Sequence, residues 1–186
     1  MCLYSIQNMT SEDNEIIEGC KKQKPMSQKA LYDKYSSKMF AVCLRYARNK
    51  TDAEDIFQDA FIKVFDVIKQ FNFIGSFEGW LRRVFINYAL NYYRSKKEFV
   101  NINDVNLTFE SNPINFTRFT HEEILNAINA LPDNYRLVFN LVEVEGFSYD
   151  EVAVQMNVPN TTLRTLNFRA KAMLKQILLN KENFKL

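Results

Sequence analysis

Residues 80–97 carry basic and aromatic side chains of the kinds that contact nucleic acids. The basic residues of this stretch are Arg82, Arg83, Arg94, Lys96 and Lys97, with no acidic residue among them. The aromatic residues between them are Trp80, Phe85, Tyr88, Tyr92 and Tyr93. Basic side chains attract phosphates, and exposed aromatic rings give unpaired bases a surface for stacking. The pattern is also typical of a core helix with a cationic end, because aromatic residues at helical spacing usually pack inside.

A second basic stretch covers residues 161–175 and again contains no acidic residue. On a helix of 3.6 residues per turn, one face would carry Arg164, Thr165, Phe168 and Arg169. Lys171 and Lys175 could reach flanking phosphates. Arginine is suited to a bidentate contact with guanine, and a phenylalanine ring can pack against the methyl group of thymine. The alternative interpretation is a solvated basic helix in a protein-interaction domain.

Acidic side chains crowd a third stretch, residues 52–59. They are Asp52, Glu54, Asp55 and Asp59, and negative charge is favoured near the start of a helix. Thr51 and Glu54 have the spacing of a capping box, which predicts an N-cap at Thr51. The apolar residues that follow at helical spacing are Ile56, Phe57, Ala60, Phe61, Val64, Phe65 and Ile68. The helix is predicted to bury this apolar face, and its acidic face is either solvated or a binding surface.

Enzymatic chemistry finds little support in the sequence. The single histidine, His121, stands beside two glutamates, and no catalytic triad, metal-ligand cluster or glycine-rich nucleotide loop can be assembled. Cys2, Cys20 and Cys43 lack C-x-x-C spacing, which fits a reducing cytosol. No apolar run approaches the ~20 residues of a membrane helix, and no signal peptide is evident. We therefore expect a soluble cytoplasmic protein that is not an enzyme and uses no metal, cofactor or small-molecule substrate.

Helical periodicity organises the whole chain, and no strand pattern of any length occurs. We expect an all-α fold with two small helical domains on a flexible linker. The predicted parts are an N-terminal extension (1–26), a first domain (27–97), the linker (98–118), a second domain (119–181) and a tail (182–186). Ser148 and Glu151 predict a capping box for a short helix through Met156. That helix, a tight turn and a basic helix over residues 161–179 make a helix-turn-helix.

The ordered motifs resemble a known family. DAEDIFQDAF at 52–61 and the F…W-L-R-R…N pattern resemble region two of extracytoplasmic-function (ECF) sigma factors. These are the small dissociable promoter-recognition subunits of bacterial RNA polymerase. Residues 131–174 resemble sigma region four, which reads the minus-thirty-five element. The match to region two is long, ordered and specific, and it includes Phe77, Trp80, Leu81, Arg82, Arg83, Asn87, Asn91 and Arg94.

The resemblance implies three sets of contacts. Docking on the clamp helices of the largest polymerase subunit would use Asp52, Glu54, Asp55, Gln58 and Asp59. The minus-ten element would be opened, with a flipped base captured by the loop 71–77. The residues implied there are Phe71, Phe73, Phe77, Trp80, Arg83, Asn87, Tyr88, Asn91 and Arg94, although Trp80 is equally suited to packing. The minus-thirty-five contacts would be Thr161, Thr162, Arg164, Thr165, Phe168, Arg169 and Lys171. Implied partners are core RNA polymerase, promoter DNA and an anti-sigma factor, which in this family is often membrane-bound.

Two departures from the family pattern affect the second basic helix. Thr161-Thr162 replaces the common Gly-Thr, and Leu166-Asn167 replaces a basic residue followed by an aliphatic one. Asn167 then shares a face with apolar residues that should be buried. We expect either a slightly rotated helix or a hydrogen-bond partner for Asn167.

Two other hypotheses remain at this point. A polymerase-independent regulator would bind duplex DNA through the helix-turn-helix, with the first unit as a dimerisation or sensor domain. The acidic helix followed by W-L-R-R favours the sigma factor over that regulator. A protein-interaction adaptor would need neither basic face.

Overall fold

The computed structural model describes residues 10–95 and 118–183, and within these ranges the chain is helical with no strand. The chain divides between Tyr93 and Arg94 into two compact units. Nearly all of the predicted linker, Cys2 and the last residues of the predicted tail lie outside the described ranges. None of the described helices is both long and apolar enough to cross a bilayer.

The first unit contains four α-helices, numbered in chain order. They are α1 (Ser11–Lys21), α2 (Pro25–Tyr46), α3 (Lys50–Val67) and α4 (Phe77–Ser95), with a 3₁₀ turn at Ile68–Gln70 after α3. The predicted apolar face of α3 is confirmed, since all of its residues are buried except Phe65, which is half-buried. Phe57 and Phe61 of α3 pack against Phe85 of α4, with ring centroids 6.0 and 5.1 Å apart. Helix α1, within the predicted extension, packs against α2.

The second unit contains α5 (His121–Asn129), α6 (Asp133–Phe139), α7 (Tyr149–Met156) and α8 (Asn160–Asn183). Helices α5, α6 and α7 all pack against α8. After Phe139 the helix widens into a π-helical turn at Asn140–Val144. Gly146 follows it with φ 77°, the left-handed conformation that glycine commonly adopts just past a helix end.

Capping side chains explain most of the helix starts, and one of our predictions of them is wrong. The predicted box of Ser148 and Glu151 is present at α7. At α3, however, the cap is Asn49, whose Oδ1 accepts a hydrogen bond from the Asp52 backbone amide at 2.8 Å. Because α3 already begins at Lys50, Thr51 lies inside the first turn and cannot be its N-cap.

Candidate nucleic-acid interface

The loop before α4 presents two apolar side chains at its tip. Phe73 has φ 60° and Gly75 has φ 80°, so the chain turns through two left-handed positions in three residues. Gly75 adopts this geometry without penalty, whereas Phe73 is strained, and such strain often marks functional loops. Phe73 and Ile74 are 37% and 78% exposed. The loop therefore displays apolar surface that no neighbouring helix covers completely.

An aromatic cluster supports this loop from below. Phe71 packs against Phe77 and Trp80, with centroids 5.1 and 5.5 Å apart. Phe77 also stacks on Trp80 at 5.6 Å with an interplanar angle of 27°. Tyr35 of α2 closes the cluster with an edge contact to Phe77 at 5.6 Å. Trp80 is half-buried, so it anchors the loop and still offers part of its ring to solvent.

Burial corrects two of the predicted minus-ten contacts. Phe71 and Phe77 are each only 2% exposed. A base stacks on an open ring face, and neither side chain has one. Their place in the aromatic cluster makes them supports for Phe73 and Trp80. The helical spacing of Phe77 with Trp80 and Leu81 is a sequence signal that indicates packing.

One face of α4 carries polar side chains next to the loop. Trp80, Arg83, Asn87 and Asn91 recur at spacings of three and four residues, which places them along one face of the helix. Arg83, Asn87 and Asn91 are all exposed. The side chain of Arg94 lies outside the described part of the chain. The asparagine amides can donate to and accept from the edges of unpaired bases.

The acidic side of α3 is joined to α4 by two tyrosines. The hydroxyl of Tyr88 donates to Asp59 Oδ2 at 2.8 Å, and that of Tyr92 donates to Asp52 Oδ1 at 3.0 Å. Burial, together with the bond to Asp59, raises the pKa of Tyr88 to about 12. Asp52 and Asp59, which are predicted polymerase contacts, and Tyr88, which is a predicted DNA contact, thus also hold α3 and α4 together. The other predicted acidic-face residues, Glu54, Asp55 and Gln58, are exposed.

The second unit forms the predicted helix-turn-helix from α7 and α8. The intervening turn begins at Asn157, which has φ 52°. The Arg164 guanidinium lies 4.6 Å from the centroid of the Tyr149 ring. Its Nε donates to Asn160 Oδ1 at 2.9 Å, a bond that uses neither terminal nitrogen. Arg164 is therefore held near the start of α8. Its two terminal nitrogens, Nη1 and Nη2, take no part in the bond to Asn160, and they are the groups suited to a bidentate base contact.

The other predicted residues of α8 differ in their exposure. Thr161, Thr165, Phe168 and Lys171 are exposed, with Phe168 at 57%. Thr162 and Arg169 are half-buried. The Nη1 atom of Arg169 is buried without a hydrogen-bond partner in the described part of the chain.

Asn167 has the partners that the sequence alone could not identify. It is fully buried, and its Nδ2 donates to Glu143 Oε1 at 2.6 Å and to the Tyr149 hydroxyl at 2.8 Å. Lys171 Nζ reaches the same Glu143 oxygen at 3.0 Å. Burial alone raises the pKa of Glu143, but the bonds from Asn167 and Lys171 outweigh it and hold that pKa below its usual value. Asn167 thus ties α8 to both the π-helical turn and α7.

Replacing Asn167 with leucine is expected to change the free energy of unfolding of the second unit by less than about 1 kcal/mol. The variant loses two hydrogen bonds, but it also removes Asn167 Oδ1, which is buried without a partner, and fills the site with an apolar side chain. Asn167→Ala, which leaves a cavity, should cost about 2–3 kcal/mol. Urea unfolding monitored by hydrogen exchange in α8 measures both. A loss above about 3 kcal/mol for Asn167→Leu would contradict this account.

Known proteins match both units. The family described as Sigma-70 region 2 matches residues 31–99, and Sigma-70, region 4 matches residues 121–174. The ECF RNA polymerase sigma-E factor of Escherichia coli K12 is 29% identical over 173 residues, which cover 86% of this chain and 90% of that protein. The ECF RNA polymerase sigma factor SigE of Mycolicibacterium smegmatis is 27% identical over 163 residues, covering 80% and 60%.

One solved structure supports the fold. It is the sigma factor RpoE in complex with the anti-sigma factor NepR from Bartonella quintana, with a TM-score of 0.50 and 20% identity over 81% of this chain and 95% of that one. The region 2 match includes α4 of the first unit, with its exposed polar face. The region 4 match includes the helix-turn-helix of the second unit. The chain belongs to the ECF subfamily of bacterial RNA polymerase sigma factors.

Proposed function

We propose that this sigma factor opens and holds the minus-ten element with the loop 71–76 and α4, and reads the minus-thirty-five element with α8. The observation that carries the proposal is the face of α4. Exposed Arg83, Asn87 and Asn91 continue from the half-buried ring of Trp80, beside the aromatic tip of the loop. This face combines a cation for phosphates, amides for base edges and a ring for stacking.

Capture of a flipped base would take place at the loop tip. Extruding a base from a duplex costs a few kcal/mol, which stacking and hydrogen bonds must recover. Phe73 is the aromatic side chain of the loop that retains exposure, since Phe71 is buried below it. Trp80 would then stack on the unpaired bases next to the extruded one, and the Asn87 amide would hydrogen-bond to their edges.

Helix α8 would lie in the major groove of the minus-thirty-five element. Arg164 and Thr165 come from its first turns, which in a helix-turn-helix reach the base edges. Phe168 provides an exposed apolar contact for a thymine methyl. Thr161, Thr162, Arg169 and Lys171 would contact the backbone around these bases.

Core RNA polymerase would bind the acidic side of α3. Glu54, Asp55 and Gln58 are the exposed members of this surface. Asp52 and Asp59 take part in it while also accepting bonds from α4, so polymerase binding and the position of the DNA-binding helix are mechanically connected. The match to region two across α2, α3 and α4 favours this function over a polymerase-independent regulator.

The chain would act in the cytoplasm, where the polymerase is, and RNA synthesis itself would be the work of the polymerase. Family membership also supports an anti-sigma factor as a partner that holds the chain inactive.

Asn87→Ala tests the minus-ten assignment. The variant should destabilise the open complex by about 1–2 kcal/mol, roughly tenfold, because a base edge loses its amide partner. The measurement is permanganate reactivity of unpaired thymines in holoenzyme complexes. The DNA is a set of fragments selected by wild-type holoenzyme from a randomised duplex library. Asn14→Ala, which removes an exposed asparagine amide from α1 of the same unit, is the matched control. Equal reactivity for the two variants would overturn the assignment.

A further inference from the structure

Helix α1 lies outside both matched regions, which begin at residues 31 and 121. Its C-terminal end nevertheless contacts the tip of the loop before α4. The Lys21 Nζ atom lies 4.0 Å from the centroid of the Phe73 ring. That distance is well within the range of a cation–π interaction, which extends to about 6 Å.

The contact comes from a firmly held helix. Ile17 and Cys20 of α1 are buried, and α1 packs against both α2 and the 3₁₀ turn that leads into the loop. A Cβ atom on Gly19 would lie 2.0 Å from Ser27 Oγ, so only glycine permits this close approach of the two helices. At the other end of α1, Asp13 Oδ1 lies 2.7 Å from Lys34 Nζ.

The Phe73 ring has neighbours in two directions. Phe71 packs against it with centroids 5.3 Å apart, and Lys21 lies over its face. The backbone of Phe73 is in the left-handed region that residues other than glycine rarely adopt. A strained residue keeps its conformation only when its surroundings hold it there. Phe71 and Lys21 each supply such a restraint on the ring, and the Ile74 backbone amide, which donates to Asn72 Oδ1 at 3.3 Å, restrains the turn itself.

We propose that Lys21 is a positioning residue for promoter melting, holding Phe73 in the conformation that receives the flipped base. The inference rests on the proposed role of the loop 71–76 in base capture. It extends the minus-ten machinery to α1. Lys21 acts through the Phe73 ring. Its own side chain is only 19% exposed, and its Nζ atom lies 3.2 Å from Glu18 Oε1.

The test compares Lys21→Met, which keeps the length but removes the charge, with Lys21→Arg, which keeps a cation for the ring. Lys22→Met is the control, since it removes the same charge from the neighbouring exposed position. Open complexes on the library-selected DNA are assayed with full-length holoenzymes by thymine reactivity to permanganate. Lys21→Met should lower the open-complex equilibrium about three- to tenfold, and Lys21→Arg should restore most of it. Equal values for Lys21→Met and Lys22→Met would overturn the proposal.

Two further measurements separate positioning from direct DNA contact. In a Phe73→Leu background, Lys21→Met should have no further effect, because the ring through which Lys21 acts is gone. The dependence of binding on salt concentration should be the same for Lys21→Met and Lys22→Met. A smaller salt slope for Lys21→Met alone would mean a phosphate contact and would overturn the positioning role. If wild-type holoenzyme forms no open complex at all, the proposed function fails instead.

Discussion

Replacing Phe77 with alanine is expected to lower the free energy of unfolding of the first unit by about 3–5 kcal/mol. Phe77 is buried and contacts Tyr35, Phe71 and Trp80, so its removal leaves a cavity where α2, the loop and α4 meet. Loss of this support should also free the loop tip. We therefore expect promoter opening to fail even at temperatures where the variant remains folded.

Trp80 makes the experiment selective for one unit. It is the single tryptophan of the chain, so its fluorescence during urea unfolding reports the first unit alone. Ile74→Ala is the control, because it removes a large apolar side chain from the same loop at a highly exposed position. That variant should change the free energy of unfolding by less than about 0.5 kcal/mol. A loss below about 1 kcal/mol for Phe77→Ala would contradict the support role.

Joint replacement of Arg164 and Arg169 with alanine is expected to weaken promoter recognition by roughly 1–3 kcal/mol through loss of the Arg164 base contact. Loss of the backbone contact of Arg169 should add a further decrease in affinity that does not depend on the DNA sequence. Arg164 is the better placed of the two, held by Asn160 and Tyr149 near the start of α8. The effect of losing the Arg164 contact should depend on the minus-thirty-five sequence. Competition between holoenzymes for DNA with intact or scrambled minus-thirty-five elements measures it.

Arg118→Ala provides the matched control for that pair, because it removes an exposed guanidinium of the second unit outside the helix-turn-helix. The double variant should also lose discrimination between the two DNAs, whereas Arg118→Ala should keep it. If the double variant binds and discriminates like Arg118→Ala, α8 does not read DNA. That result would favour the protein-interaction adaptor.

Local patterns in the sequence predicted the helices well where one signal dominated. The apolar periodicity of α3 and the box of Ser148 with Glu151 are both readable within a few residues. The error at Thr51 arose because Asn49 is an equally good cap two residues earlier, and only the path of the chain decides between them. The π-helical turn after α6 has no local signature that separates it from an ordinary helix.

The candidate site was less predictable, because its geometry depends on contacts between distant residues. Sequence could identify Phe71, Phe73 and Phe77 as a group, but not that Phe73 alone keeps substantial exposure. The partners of Asn167 stand 18 and 24 residues away, on two different elements. The tyrosine bonds to Asp52 and Asp59 likewise join two helices, and the contact of Lys21 with Phe73 joins a helix to a loop.

Run-off transcription with bacterial core polymerase shows whether this chain gives the polymerase its promoter specificity. The template is a pool of genomic promoter fragments from the bacterium that encodes the chain, transcribed with and without it. We predict new start sites that require the protein and disappear when Arg83 and Asn87 are both changed to alanine. Well-folded protein that neither binds matched core polymerase nor creates a start site would contradict the account.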